Sequence, residues 1–157
     1  MVHNTTRPHP KPFSLNVGDF FRSLSGLRLE GRYRAQNDYI SYLLVQIIVD
    51  RTEMQVQSDA CTSRLQHKTS HLSAAEEDEL KGLAKLYGII AKLFEELKVE
   101  VEKRWYIASK RGFNERMKII EDLRAEYDDI LEAKRAGLKL VIMESVKFQV
   151  DRFTGDT

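Results

Sequence analysis

The sequence predicts an all-α protein: three long helices in an elongated antiparallel coiled-coil-like bundle, preceded by a flexible proline-containing arm. Three observations lead there. All three prolines, Pro8, Pro10 and Pro12, fall in one short stretch, leaving residues 13–157 without any. Ordinary usage of roughly 5% would put about seven there, and an interior proline removes an amide donor and clashes with the preceding turn. Apolar residues recur at alternating spacings of four and three along most of the chain, the period of a helix seam. Finally, Ser73-Ala-Ala-Glu76 is a capping box, in which the serine hydroxyl accepts from an orphan amide at a helix start.

Residues 1–12 read as the arm, because alternating prolines favour an extended, polyproline-like chain. Residues 13–34 form a basic amphipathic segment. In it Phe13, Val17, Phe20, Leu24 and Leu27 share a face that Phe21 widens, although Gly18 and Gly26 weaken the helix by about 1 kcal/mol each. Residues 35–157 form the long-helix bundle. Its first helix, over roughly 36–71, carries the seam Ile40, Leu44, Ile47, Arg51, Met54, Ser58, Cys61, Leu65, Lys68 and Leu72. The second starts at Ala74 behind the capping box, with Leu80, Leu83, Tyr87, Ile90, Phe94, Leu97, Val101, Arg104 and Ala108 in phase.

Near Gly112 the phase slips. Gly112 as a C-cap and Asn114 as an N-cap imply a turn at 110–114; the competing reading is one kinked helix running through Gly112. The last helix, from about Glu115 to Phe153, carries Met117, Ile120, Arg124, Tyr127, Leu131, Lys134, Leu138 and Val141, with Gly137 as a candidate kink. Helices of about 36–40 residues span some 55–60 Å, and broad apolar stripes imply that surface remains for a partner. Leu44, Ile47, Leu83, Ile90, Leu97, Ile120 and Leu131 are the predicted protein-interface residues. The diluted seam positions Arg51, Lys68, Arg124 and Lys134 would set register and partner choice.

Charge is unevenly spread. The chain's 25 basic and 24 acidic residues give a net charge of +1, which excludes a uniformly basic nucleic-acid binder or an acidic tail. Residues 1–34 nevertheless carry an excess of basic side chains, and Lys103, Arg104, Lys110, Arg111, Arg116 and Lys118 gather around the predicted turn. The lone Cys61 cannot form an internal disulfide, which with no apolar secretory core near the N-terminus suggests a cytoplasmic protein. The apolar run Tyr39–Val49 is too short to span a bilayer.

No motif carries catalysis or holds a cofactor. The eight glycines form no phosphate loop. His67 and His71 stand four apart without a companion ligand, so no metal site is expected. Cys61 sits on the seam as a small buried residue rather than a nucleophile. Trp105-Tyr106 beside lysines and arginines has the ingredients of a base-stacking platform, but Trp105 falls on the apolar stripe, and nucleic-acid binding has little support. The function that follows is a non-enzymatic helical interaction or scaffolding module, assembling as a homodimer or a subunit of a hetero-complex.

The alternative is a protein peripheral at an anionic membrane surface. The Phe13–Leu29 stripe, with Lys110-Arg111-Gly112-Phe113, Arg116 and Lys118 at the turn, gives the chain a layout similar to BAR-type domains. The helices are short for a full BAR arm. The resemblance implies a dimeric helical body and lipid contact through Phe20, Phe21, Arg22, Arg28, Lys110, Arg111, Arg116 and Lys118.

Overall fold

The computed structural model describes residues 16–67 and 72–154, with side chains through Lys139. The arm over 1–12, Phe13, Lys68, His71 and the side chain of Val141 lie outside the described residues. Among those described the chain is all-helical, in the order α1 (Val17–Leu24), α2 (Leu29–Gln66), α3 (Ala74–Ala108) and α4 (Phe113–Thr154). It divides into two compact units, one of Met1–Val49 with Glu95–Tyr127 and the other of Asp50–Phe94 with Asp128–Thr157. Each unit therefore draws on α2, α3 and α4, and α1 belongs to the first.

Helix α1 is shorter than its apolar stripe suggested. Asn16 caps it, Oδ1 accepting from the Asp19 amide at 3.0 Å. At the other end the Ser23 and Ser25 hydroxyls donate to the Phe20 and Arg22 carbonyls. Such side-chain bonds compete with helix propagation, and Gly26 follows directly. Leu24 is its buried residue, and Phe20 stacks on Tyr39 of α2 with ring centroids 4.7 Å apart.

In α2 the structure corrects the phase of the seam. Leu43 and Asp50 are buried, where the spacing pointed to Leu44 and Arg51; both of those are half-buried. From Ile40 a 3.6-residue period passes between 43 and 44 and between 50 and 51, so the pattern alone leaves the choice open. Tertiary partners settle it, and for Asp50 the partner is Lys134 at 2.8 Å.

Helix α3 follows its expected start and stripe. The Glu76 amide donates to Ser73 Oγ at 3.2 Å, and Tyr87, Ile90, Phe94, Leu97, Val101 and Ala108 are all buried. The chain does turn between α3 and α4. However, α4 begins at Phe113, so Asn114 lies inside it, and the Gly112 carbonyl accepts from the Arg116 amide at the helix start rather than capping α3. The end of α3 tightens instead through Lys110 N to Ile107 O and Arg111 N to Ala108 O, the i to i−3 pattern of a closing turn.

Helix α4 continues through Gly137. Gly137 provides a close approach: a Cβ there would lie 3.4 Å from Tyr87 Cε1, and the Tyr87 hydroxyl donates to the Gly137 carbonyl at 3.2 Å. In the second unit the core holds Met54, Tyr87, Ile90, Ala91 and Phe94, with Ser58 Oγ donating to the Ala84 carbonyl at 2.8 Å. In the first, Leu24, Ile40, Leu43, Ile47, Val101, Ile120 and Leu123 are enclosed, each side chain contributing about 1.5–3 kcal/mol on burial.

Candidate functional site

Two features of the first unit stand out, and both begin with α2. Eleven consecutive residues, Tyr39–Val49, carry no charge. One face of this stretch, Tyr39, Ile40, Leu43 and Ile47, is buried, while Tyr42, Val45, Ile48 and Val49 are 46%, 53%, 36% and 50% exposed. A helix that is apolar all round is ordinarily covered all round. The spacing of Tyr42, Val45 and Val49, three then four, is that of a second seam.

The other feature is the polar cluster around Arg116. Its guanidinium donates through Nε to Gln36 Oε1 at 2.8 Å and through Nη1 to the Ser109 carbonyl at 3.3 Å. Through Nη2 it donates to the Tyr33 carbonyl and Asn37 Oδ1. It also lies 4.6 Å from the Tyr33 ring centroid and 4.9 Å from that of Trp105. Gln36, fully buried, returns its Nε2 to the Phe113 carbonyl, and Trp105 Nε1 donates to Asn37 Oδ1. All these acceptors are neutral oxygens. Burial pushes the Arg116 guanidinium below its usual value, partly opposed by the charge interaction with Tyr33, yet an arginine remains charged.

The second unit holds a contrasting cation. Lys134 Nζ lies 2.8 Å from Asp50 Oδ1 and 2.6 Å from Glu53 Oε2. Burial works to lower its pKa, but the hydrogen bonds and charges of Asp50 and Glu53 outweigh it, and the ammonium is held above its ordinary value. The expected register position thus pairs within the chain.

The predicted interface residues are divided by the fold. Ile47, Ile90, Leu97 and Ile120 lie inside the chain's own core, and Leu44, Leu83 and Leu131 are half-buried. Of the residues assigned to lipid, Phe21, Arg22, Arg28, Lys110, Arg111 and Lys118 are exposed. Arg22 pairs with Asp19, Lys118 with Asp122 at 3.2 Å and Arg111 with Glu115 at 3.6 Å. Phe20 is committed to Tyr39, and Arg116, expected on a solvated tip, is 6% exposed. The correction has a physical cause: acceptors from α2 and two aromatic faces draw the guanidinium inward.

Cys61 is half-buried, its thiol pushed up by burial against a lesser downward pull from Arg64, so it stays protonated near neutrality. Among the described residues no group of three or more His, Cys, Asp or Glu is arranged to hold a metal. No described helix is long and apolar enough to cross a membrane. The exposed α2 face and the buried Gln36 and Asp50 escaped the sequence reading. The charge-free run was visible as a clue to the first. Comparisons with protein-family models, curated proteins and solved structures find no match to this chain.

Proposed function

We propose that this protein is a non-enzymatic helical interaction module that assembles with copies of itself or with other subunits through apolar helix faces. The observation that carries the reading is the exposed face Tyr42, Val45, Ile48 and Val49 on a charge-free stretch of α2 whose opposite face is buried. Covering each such half-exposed side chain would return about 1 kcal/mol. The reading includes coiled-coil-like packing among α2, α3 and α4, supported by the alternating three- and four-residue spacing of their buried side chains. Sedimentation equilibrium of the full chain and of a Val45→Glu/Val49→Lys variant tests it. The full chain is expected to show concentration-dependent association and the variant the monomer mass, with equal helicity by circular dichroism. Identical masses at every concentration would remove this face as the assembly surface.

The second reading, a BAR-like membrane-surface module, is favoured by exposed Phe21, Leu27 and Leu29 near Arg22 and Arg28. Apolar side chains beside cations suit an anionic interface. It predicts co-sedimentation with anionic but not neutral vesicles, lost in Phe21→Glu. Equal binding by that variant would sink it.

A further inference from the structure

The turn between α3 and α4 carries a second surface, independent of the α2 face. Several cations among the described residues meet carboxylates: Lys134 with Asp50, Arg104 with Glu126, Lys98 with Glu102, Arg22 with Asp19. Buried Arg116 is held differently. Arg116 makes hydrogen bonds to four neutral oxygens, and among the described residues no carboxylate reaches it. A guanidinium has five N–H donors, so one on Nη1 has no acceptor among those residues. Arg32, half-buried, spends its Nε on the Leu27 carbonyl at 3.0 Å and sits 5.9 Å from the Phe113 ring. Exposed Lys110 lies 4.5 Å over the ring of Tyr106, itself 67% exposed. Arg111 shares a carboxylate, Glu115, as Lys118 does with Asp122.

A buried cation surrounded by neutral dipoles keeps its field, because solvent and salt screen it little. We propose that this turn docks an acidic segment of a protein partner, with Arg32, Lys110 and Arg111 receiving carboxylates and Tyr106 supplying an aromatic contact. Arg116, buried at the same turn, is a fixed positive charge. The proposal rests on the reading of the chain as an interaction module and names the chemistry of one partner. Arginine and aromatic side chains around a partly desolvated centre are the composition of protein-binding hot spots. Electrostatic lipid capture draws on clusters of about four to eight solvated cations. Here Arg32, Lys110 and Arg111 are held in place by rings, a backbone carbonyl or Glu115.

Trp105, the chain's single tryptophan, lies against Arg116 and reports on the site. The full chain is titrated with a glutamate-rich peptide containing one phenylalanine, and with its glutamine counterpart, followed by calorimetry and Trp105 emission. Saturable binding of the glutamate peptide, weakening with salt and shifting Trp105 emission, is expected, with the glutamine peptide at least about tenfold weaker. The variant Arg32→Ala/Lys110→Ala, its helicity checked by circular dichroism, should bind at least about tenfold more weakly than the full chain. No binding of the glutamate peptide, equal binding of the two peptides, or no loss in the double variant would overturn the proposal. So would tighter binding to phosphatidylserine vesicles or a single-stranded oligonucleotide. The Val45→Glu/Val49→Lys protein runs in the same titration. Lost association with peptide binding retained separates the two surfaces, and a full chain that associates but ignores the peptide rejects this inference alone.

Discussion

Lys134 and Arg116 are both buried cations on α4, one in each unit, and the chain accommodates them in opposite ways. Lys134 is a compact charge, and the second unit brings it two carboxylates, Asp50 and Glu53. Arg116 is a planar, delocalised cation, and the first unit brings it neutral oxygens and the faces of Tyr33 and Trp105. The difference follows from hydration. An ammonium is strongly hydrated and needs full charges to replace its water, whereas a guanidinium is weakly hydrated and can be held by a fork of dipoles and π-faces. Neutralised, the Lys134 site is a structural pin. The Arg116 site keeps its charge.

Three perturbations would break or sharpen that contrast. The largest effect is expected for Lys134→Met, which leaves the Asp50 carboxylate buried without its cation and should cost about 3–5 kcal/mol in urea denaturation. Adding Asp50→Leu should recover most of that loss, since an apolar pair of similar volume can replace a buried ion pair. A loss below about 1 kcal/mol would mean the pair is not desolvated. Arg116→Met should cost less, about 1–3 kcal/mol, because it leaves amide and carbonyl oxygens unpaired rather than a charge. If Arg116→Met proved the more destabilising, the neutral-cage account would be wrong.

The smallest effect is in the alkaline limb. Because the folded protein holds the Lys134 ammonium above its ordinary value of 10.5, its contribution is complete below that pH. It is lost as pH rises beyond it through the folded-state value. Stability of the wild type should therefore fall more steeply above about pH 10.5 than that of Asp50→Leu/Lys134→Met. Parallel curves would exclude the linkage. Arg116 adds no such dependence, as its charge persists over that range.

Local signals in the sequence were legible where one element suffices to read them. The Ser73–Glu76 box marked the start of α3, the stripe from Tyr87 to Ala108 marked its buried face, and the phase slip near Gly112 marked a turn. Where two residues could serve one position, as with Leu43 or Leu44 and Asp50 or Arg51, periodicity had no resolving power. The Arg116 cluster was least legible. Its location among Lys110, Arg111 and Lys118 suggested a solvated basic tip, while the atoms that bury it, on Tyr33, Gln36 and Asn37, lie about eighty residues earlier in the chain.

By itself, then, the sequence determined the all-helical character, the start of α3 and the turn before α4. Proline exclusion, capping and apolar period act over a few residues and need no distant partner. Only the tertiary structure decided which side of α2 faces inward, which cation on α4 is neutralised and which stays charged. It also decided that Tyr42, Val45, Ile48 and Val49 remain uncovered. Those outcomes depend on what each helix meets across a contact, where one carboxylate or one aromatic face decides between two spacings that the chain offers equally.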